Sequence, residues 1–145
     1  MKVVVTGNKG MLGRDLEKRL WDAGFDVIGV DVGELDITRL DSVSDCLKSF
    51  APDLVINCAA YTDVDGCEDE AGTKRALAVN LRGVANLCEV SPAPIIQIST
   101  SYVFSGKRPF GGYSERDQPN PPKGCEYAFS KFGAEQLLLH PNLGG

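Results

Sequence analysis

Histidine is nearly absent from this chain. His140, close to the C-terminus, is the only one and is set aside as a catalytic candidate. No two cysteines have the Cys-x-x-Cys spacing. The five present, Cys46, Cys58, Cys67, Cys88 and Cys125, are odd in number and scattered. That pattern fits reduced thiols rather than a disulfide framework or a zinc site. There is no block of lysine or arginine, and the net charge is −5, which argues against nucleic acid or an anionic membrane as partner. No apolar run approaches the roughly 20 residues that cross a bilayer. The apolar start of the chain ends at Thr6-Gly7, too short for a secretory leader. Together these absences imply a cytoplasmic location. No internal repeat and no low-complexity segment is found.

What remains is an ordinary globular balance, 43% hydrophobic and 24% charged over 145 residues, enough for one domain over 1–139 with a tail over 140–145. Val3-Val4-Val5 reads as a buried strand. Met11, Leu12, Leu16, Leu20 and Trp21 follow at helical spacing over 10–23, with Trp21 expected in the core. Further strands are predicted over 25–30, 54–56 and 95–98, and helices over 38–50, 72–90 and 125–139. Residues 58–71 read as an acidic loop, and 105–124, rich in proline and glycine, as a functional loop. Strands alternating with helices predict an α/β fold with a doubly wound parallel sheet.

The turn after the first strand reads Thr6-Gly7-Asn8-Lys9-Gly10-Met11-Leu12-Gly13. Glycines in the pattern G-x-x-G-x-x-G, between a strand and a helix, suit a dinucleotide. Gly7 allows the tight turn, Gly10 lets backbone approach a pyrophosphate, and Gly13 lets helix and strand pack closely. The helix N-terminus offers N–H groups to phosphate. Asp31, at the end of the second strand, can accept from the adenosine ribose hydroxyls. It favours NADH, while Lys9 and Arg14 keep NADPH open. No residue set marks a site for a divalent metal such as Mg.

Tyr127 and Lys131 are four apart on the last predicted helix and share a face. A nearby ammonium favours the tyrosinate, and such a tyrosine can exchange a proton with a carbonyl oxygen. Ser99-Thr100-Ser101 falls at the end of the fourth strand, where ligands bind in doubly wound sheets.

The glycine turn, Asn57-Cys58-Ala59-Ala60, Ser99-Thr100 and Tyr127-x-x-x-Lys131 together resemble the extended short-chain dehydrogenases/reductases. Within them the sequence is similar to the dTDP-4-dehydrorhamnose reductase family. Glu34-Leu35-Asp36-Ile37-Thr38, Tyr61-Thr62-Asp63-Val64-Asp65, Tyr102-Val103-Phe104 and Ser130-Lys131-Phe132-Gly133-Ala134-Glu135 also carry the likeness. The resemblance implies a Rossmann-type domain and reduction of the C4 ketone of a dTDP-4-keto-6-deoxy sugar. Tyr127 would then be the proton donor, Lys131 would hold the nicotinamide ribose, and Thr100 would orient the carbonyl. Asp36 and Ile37 would flank the adenine. Cys58, Ala59, Ala60, Tyr61 and Ser99 would line the cofactor cleft, and Asn80 would support Lys131 through water or backbone. The chain departs from the family at Ser101, where an Asp is usual, and at Ala128-Phe129, where Gly-Arg is common.

Family members run to about twice this length, two domains' worth of chain, so the resemblance implies a nucleotide-sugar domain either lost or supplied by another chain. A homodimer is a further expectation, because an unpaired sheet edge favours association. Relatives of the same fold also include non-catalytic subunits. A regulatory NAD(P)-binding subunit, or a truncated fragment without turnover, is therefore the alternative reading.

Overall fold

The computed structural model describes residues 1–108 and 111–140. Four strands, β1 (Lys2–Thr6), β2 (Asp26–Val30), β3 (Leu54–Asn57) and β4 (Ile95–Gln97), form one sheet in the order β2-β1-β3-β4. Every pairing is parallel, with Thr6 opposite Val30 on one side and Asn57 on the other. β1 is central because it is apolar on both faces. Val4 packs with Val30, Val43, Leu47 and Leu87. Val3 and Val5 pack on the opposite face with Val27 and Ile56. Successive strand residues point to opposite faces, so a run of three valines must be covered on both sides.

Helix α1 (Met11–Asp22) covers one face through Leu16 and Leu20. α2 (Leu40–Phe50) covers the other through Val43 and Leu47. The expectation for Trp21 is corrected: it is 67% exposed, and Met11 is 83% exposed. A step of one residue turns a helix by about 100°. With Leu20 facing the sheet, Trp21 is carried to its flank. The buried stripe of α1 is completed by Gly13 rather than by a large side chain.

The acidic segment is more ordered than a loop. Asp65–Glu68 form a 3-10 turn, and α3 (Glu70–Ala76) begins before the predicted 72. Asp69 caps it, its carboxylate accepting from Gly72 N at 2.7 Å. Gly72 lies inside the helix because a Cβ there would meet the Gly66 carbonyl. The predicted single helix over 72–90 is three pieces: α3, a π-helical turn over Leu77–Arg82, and α4 (Gly83–Val90). The π turn carries Asn80, which is buried. After β4 come a 3-10 turn over Ser101–Val103 and α5 (Glu126–Leu139). The tail beyond His140 lies outside the described residues, and no helix among those described is long and apolar enough to cross a membrane.

Leu87 is fully buried where α4 meets β1, β3 and α2. Leu87→Ala is expected to lower the unfolding free energy by about 2–5 kcal/mol, measured by urea denaturation. A loss below about 1 kcal/mol would contradict this packing.

Candidate functional site

The sheet order creates a parting. From β1 the chain moves to β2 on one side, then crosses to β3 on the other. Ligands of open α/β sheets sit at such a switch point, outside the carboxyl ends of the strands. Here the parting falls between Gly7, just after β1, and Cys58, just after β3. Gly7 has φ +65°, and a Cβ on it would stand 2.7 Å from the Ala59 nitrogen. A Cβ on Gly13 would stand 2.2 Å from the Gly7 carbonyl oxygen. Glycine is required at both positions for space, and at Gly7 also for conformation. Gly10 begins α1 without any side-chain cap, which leaves bare backbone at the helix N-terminus.

A buried polar chain runs beneath this parting. The Thr6 hydroxyl donates to the Asn57 side-chain oxygen. That oxygen also accepts from Ala59 N at 3.2 Å. Asn57 Nδ2 donates to Gln97 Oε1 at 2.6 Å, and Gln97 Nε2 donates to the Ile98 carbonyl at 2.8 Å. The same carbonyl accepts from Lys131 Nζ at 2.5 Å. The chain links the glycine turn to the lysine of α5 across the carboxyl ends of β1, β3 and β4.

Above the parting lies a cavity of about 380 Å³. Of the predicted residues, Gly7, Lys9, Gly10, Asp31, Asp36, Ile37, Cys58, Ala59 and Ala60 line it. Asp31 caps its own turn, Oδ1 accepting from Val32 N at 2.8 Å. Glu34 accepts from Asp31 N at 3.1 Å and pairs with Lys9 at 3.4 Å. Both contacts hold the Glu34 carboxyl below its ordinary range, the Asp31 amide first and the Lys9 charge second. Asp36 Oδ1 accepts from the Thr38 amide and hydroxyl, at 2.9 and 2.7 Å. Ile37 reaches the cavity wall from the core, packed beside Val43 and Leu87.

Val32, Leu35, Thr38 and Val79 line the same cavity and were missed from sequence. Thr38 left a signal, since Asp-x-Thr is a side-chain-capped turn. Val79 left none, because the π turn that presents it breaks helical periodicity.

Other predicted residues do not line this cavity. Asn8 instead braces α1 against β2. Its Nδ2 donates to Glu17 at 3.0 Å and its backbone N–H to the Val30 carbonyl at 3.3 Å. Met11 and Leu12 are exposed, and Gly13 serves packing. Asn80 binds the Tyr61 backbone twice, accepting at 2.8 Å and donating at 3.0 Å, and also donates to Ser130 at 3.0 Å. It therefore steadies the residue before Lys131 and shows no direct bond to Lys131.

Thr100 caps the 3-10 turn, its hydroxyl accepting from Tyr102 N at 3.3 Å. The Tyr102 ring meets Tyr127 edge-on, centroids 5.9 Å apart. Tyr127 is 8% exposed and packs against Cys67 and Ala76. Ser99 bonds to Glu135. Lys131 is 3% exposed. Burial holds its ammonium below the ordinary value, while Glu135 and Cys58 act in the opposite direction. Burial also pushes the Cys58 thiol up. Among the described residues no group of three His, Cys, Asp or Glu side chains is placed to hold a metal ion.

A four-stranded parallel sheet, helices on both faces and a glycine turn at the switch point define a Rossmann-type α/β domain of the short-chain dehydrogenase/reductase kind. The chain belongs to the family described as the RmlD substrate binding domain, whose model matches residues 1–143. It is 43% identical over 142 residues to the dTDP-4-dehydrorhamnose reductase of Aggregatibacter actinomycetemcomitans, covering 95% of this chain and 47% of that protein. A Bacillus anthracis dTDP-4-dehydrorhamnose reductase, solved in complex with NADP, superposes with TM-score 0.87 at 36% identity. That match covers 95% of this chain and 49% of that one. The Thermus thermophilus UDP-glucose 4-epimerase, solved with NAD, is similar at TM-score 0.82 and 27% identity, covering 96% of this chain and 50% of that one. The chain spans about half the length of the curated relatives it matches.

Gly13 and Gly10 make a direct comparison. Gly13→Ala forces a Cβ onto backbone and is expected to cost about 1–3 kcal/mol in thermal unfolding. Gly10→Ala meets only the Gly7 oxygen, at 3.2 Å, and should cost clearly less. Equal losses would show that α1 does not approach the turn as described.

Proposed function

We propose that this chain binds NADH or NADPH in the switch-point cavity and serves reduction of the C4 ketone of a dTDP-4-keto-6-deoxy sugar, as in dTDP-rhamnose biosynthesis. The observation that carries the reading is the cavity itself. It joins bare backbone at Gly7 and Gly10 to the Asp31 carboxylate across the ends of β1 and β2. The residues present fit a dinucleotide: glycine backbone for the pyrophosphate, Asp31 for the ribose hydroxyls, and Leu35, Ile37 and Val79 as apolar walls for the adenine. Asn8 Oδ1 is buried without a partner among the described residues. The identities of the relatives support the same reading.

When bound, the reduced nicotinamide supplies the hydride. Tyr127 gives its phenolic proton to the ketone oxygen as that oxygen becomes a hydroxyl. Lys131 holds a positive charge next to it on α5 and orients the nicotinamide ribose. Thr100 donates its hydroxyl to the same ketone oxygen, fixing the carbonyl for attack. Asp31 opposes a 2′-phosphate by like charge, and Lys9, the cation at the cavity, offsets that in part. NADH is therefore the favoured form.

The nucleotide sugar and a homodimeric state belong to the same proposal. A cytoplasmic location rests on the unpaired thiols. One observation favours a second reading, dinucleotide binding without turnover: neither Tyr127 nor Lys131 lines the cavity.

Calorimetric titration should show one site per chain for NADH, with NADPH weaker, and Asp31→Asn should narrow that difference. No binding of either dinucleotide would overturn the proposal. With a dTDP-4-keto-6-deoxy sugar, oxidation of NADH followed by absorbance should slow about 100-fold or more in Tyr127→Phe. Unchanged turnover in that variant would remove Tyr127 from the mechanism. Binding without turnover in the parent chain would select the second reading.

A further inference from the structure

Tyr127, Lys131 and Glu135 recur at four-residue spacing on α5 and share one face of it. Two of them hold consecutive residues where the chain leaves β4. Lys131 Nζ donates to the Ile98 carbonyl at 2.5 Å, and the Ser99 hydroxyl donates to Glu135 Oε1. Thr100 comes next and is held from the other side by the Tyr102 amide, while the Tyr102 ring rests against Tyr127. The contacts close a ring. It leaves α5 at Lys131 and Glu135, passes through residues 98 to 102, and returns to α5 at Tyr127.

We propose that Glu135 is a positioning residue for the reduction, tying the exit of β4 to α5 through Ser99 and supplying the standing negative charge that balances buried Lys131. This rests on the roles given above to Thr100, Tyr127 and Lys131. Two physical arguments carry it. A carboxylate accepting from a hydroxyl makes a stronger bond than a neutral pair, so the Ser99 contact fixes how far Thr100 stands from the tyrosine face. A buried ammonium also needs a compensating charge. The groups that oppose the burial of Lys131 are Glu135 on its own helix and Cys58 from the end of β3. Burial pushes the Cys58 thiol up, so it is neutral at ordinary pH and the compensation falls to Glu135.

The two roles separate by substitution. Glu135→Gln keeps an acceptor for Ser99 and removes the charge. Ser99→Ala keeps the charge and removes the tether. Glu135→Ala removes both. The full chain with 13C-labelled lysine is titrated by NMR, Lys131→Arg assigning the signal, and amide hydrogen exchange is read at Thr100 to Tyr102. The Lys131 midpoint should fall in Glu135→Gln and Glu135→Ala but not in Ser99→Ala. Exchange should quicken roughly fivefold, the loss of one hydrogen bond, in Ser99→Ala and Glu135→Ala but not in Glu135→Gln. A Lys131 midpoint unmoved by Glu135→Gln overturns the charge role. Exchange unmoved by Ser99→Ala overturns the tether. Neither measurement uses a ligand, so each stands or falls apart from dinucleotide binding.

Discussion

Asn57 lies fully buried where β1 and β3 part, and an amide in that position must have partners or cost stability. Its oxygen is met by Thr6 and by the Ala59 amide, and its nitrogen by Gln97. These bonds decide more than their own energy. Taking the Ala59 amide turns the chain after β3 toward Gly7, the approach that no side chain on Gly7 could survive. Taking Gln97 fixes the register of β4 at its carboxyl end. The floor of the cavity and the height of the Ser99-Thr100 segment both descend from this one side chain.

The charges around the site follow from that placement. The cavity mouth is acidic, with Asp31, Asp36 and Glu34 close by and Lys9 the cation among them. The exposed Lys9–Glu34 pair is worth little as stability. It places a cation beside Asp31, the carboxylate proposed to hold the ribose. On the α5 side the balance reverses. A single buried ammonium, Lys131, is bonded to a backbone carbonyl, with Glu135 one turn further along α5 raising its pKa against burial. Under the proposed function the two regions would take different parts of one extended ligand.

The fold was legible because its signals were local and redundant. Val3-Val4-Val5 and the glycine turn that follows it mark where the first strand gives way to the first helix. Gly7, Gly10 and Asp31 were legible for the same reason, whereas Asp36, Ile37, Cys58, Ala59 and Ala60 came only through the family resemblance. The misreadings came from geometry that sequence spacing does not express. Trp21 is apolar and near helical phase with Leu20, yet one residue of rotation places it in solvent. Val79 and Asn80 sit on a π turn, so the 3.6-residue pattern passed over what they face. Glu135 entered only as part of the family likeness, with no role of its own, because its partner Ser99 is 36 positions away.

Backbone amide shifts of 15N-labelled chain during titration with NADH report whether the carboxyl ends of β1, β2 and β3 form one dinucleotide site. Perturbations should gather at residues 7–10, 31–38 and 58–60, with smaller changes at 98–100. Saturating changes confined to other surfaces, or none at Gly7, Gly10 and Ala59, would rule out a dinucleotide site there.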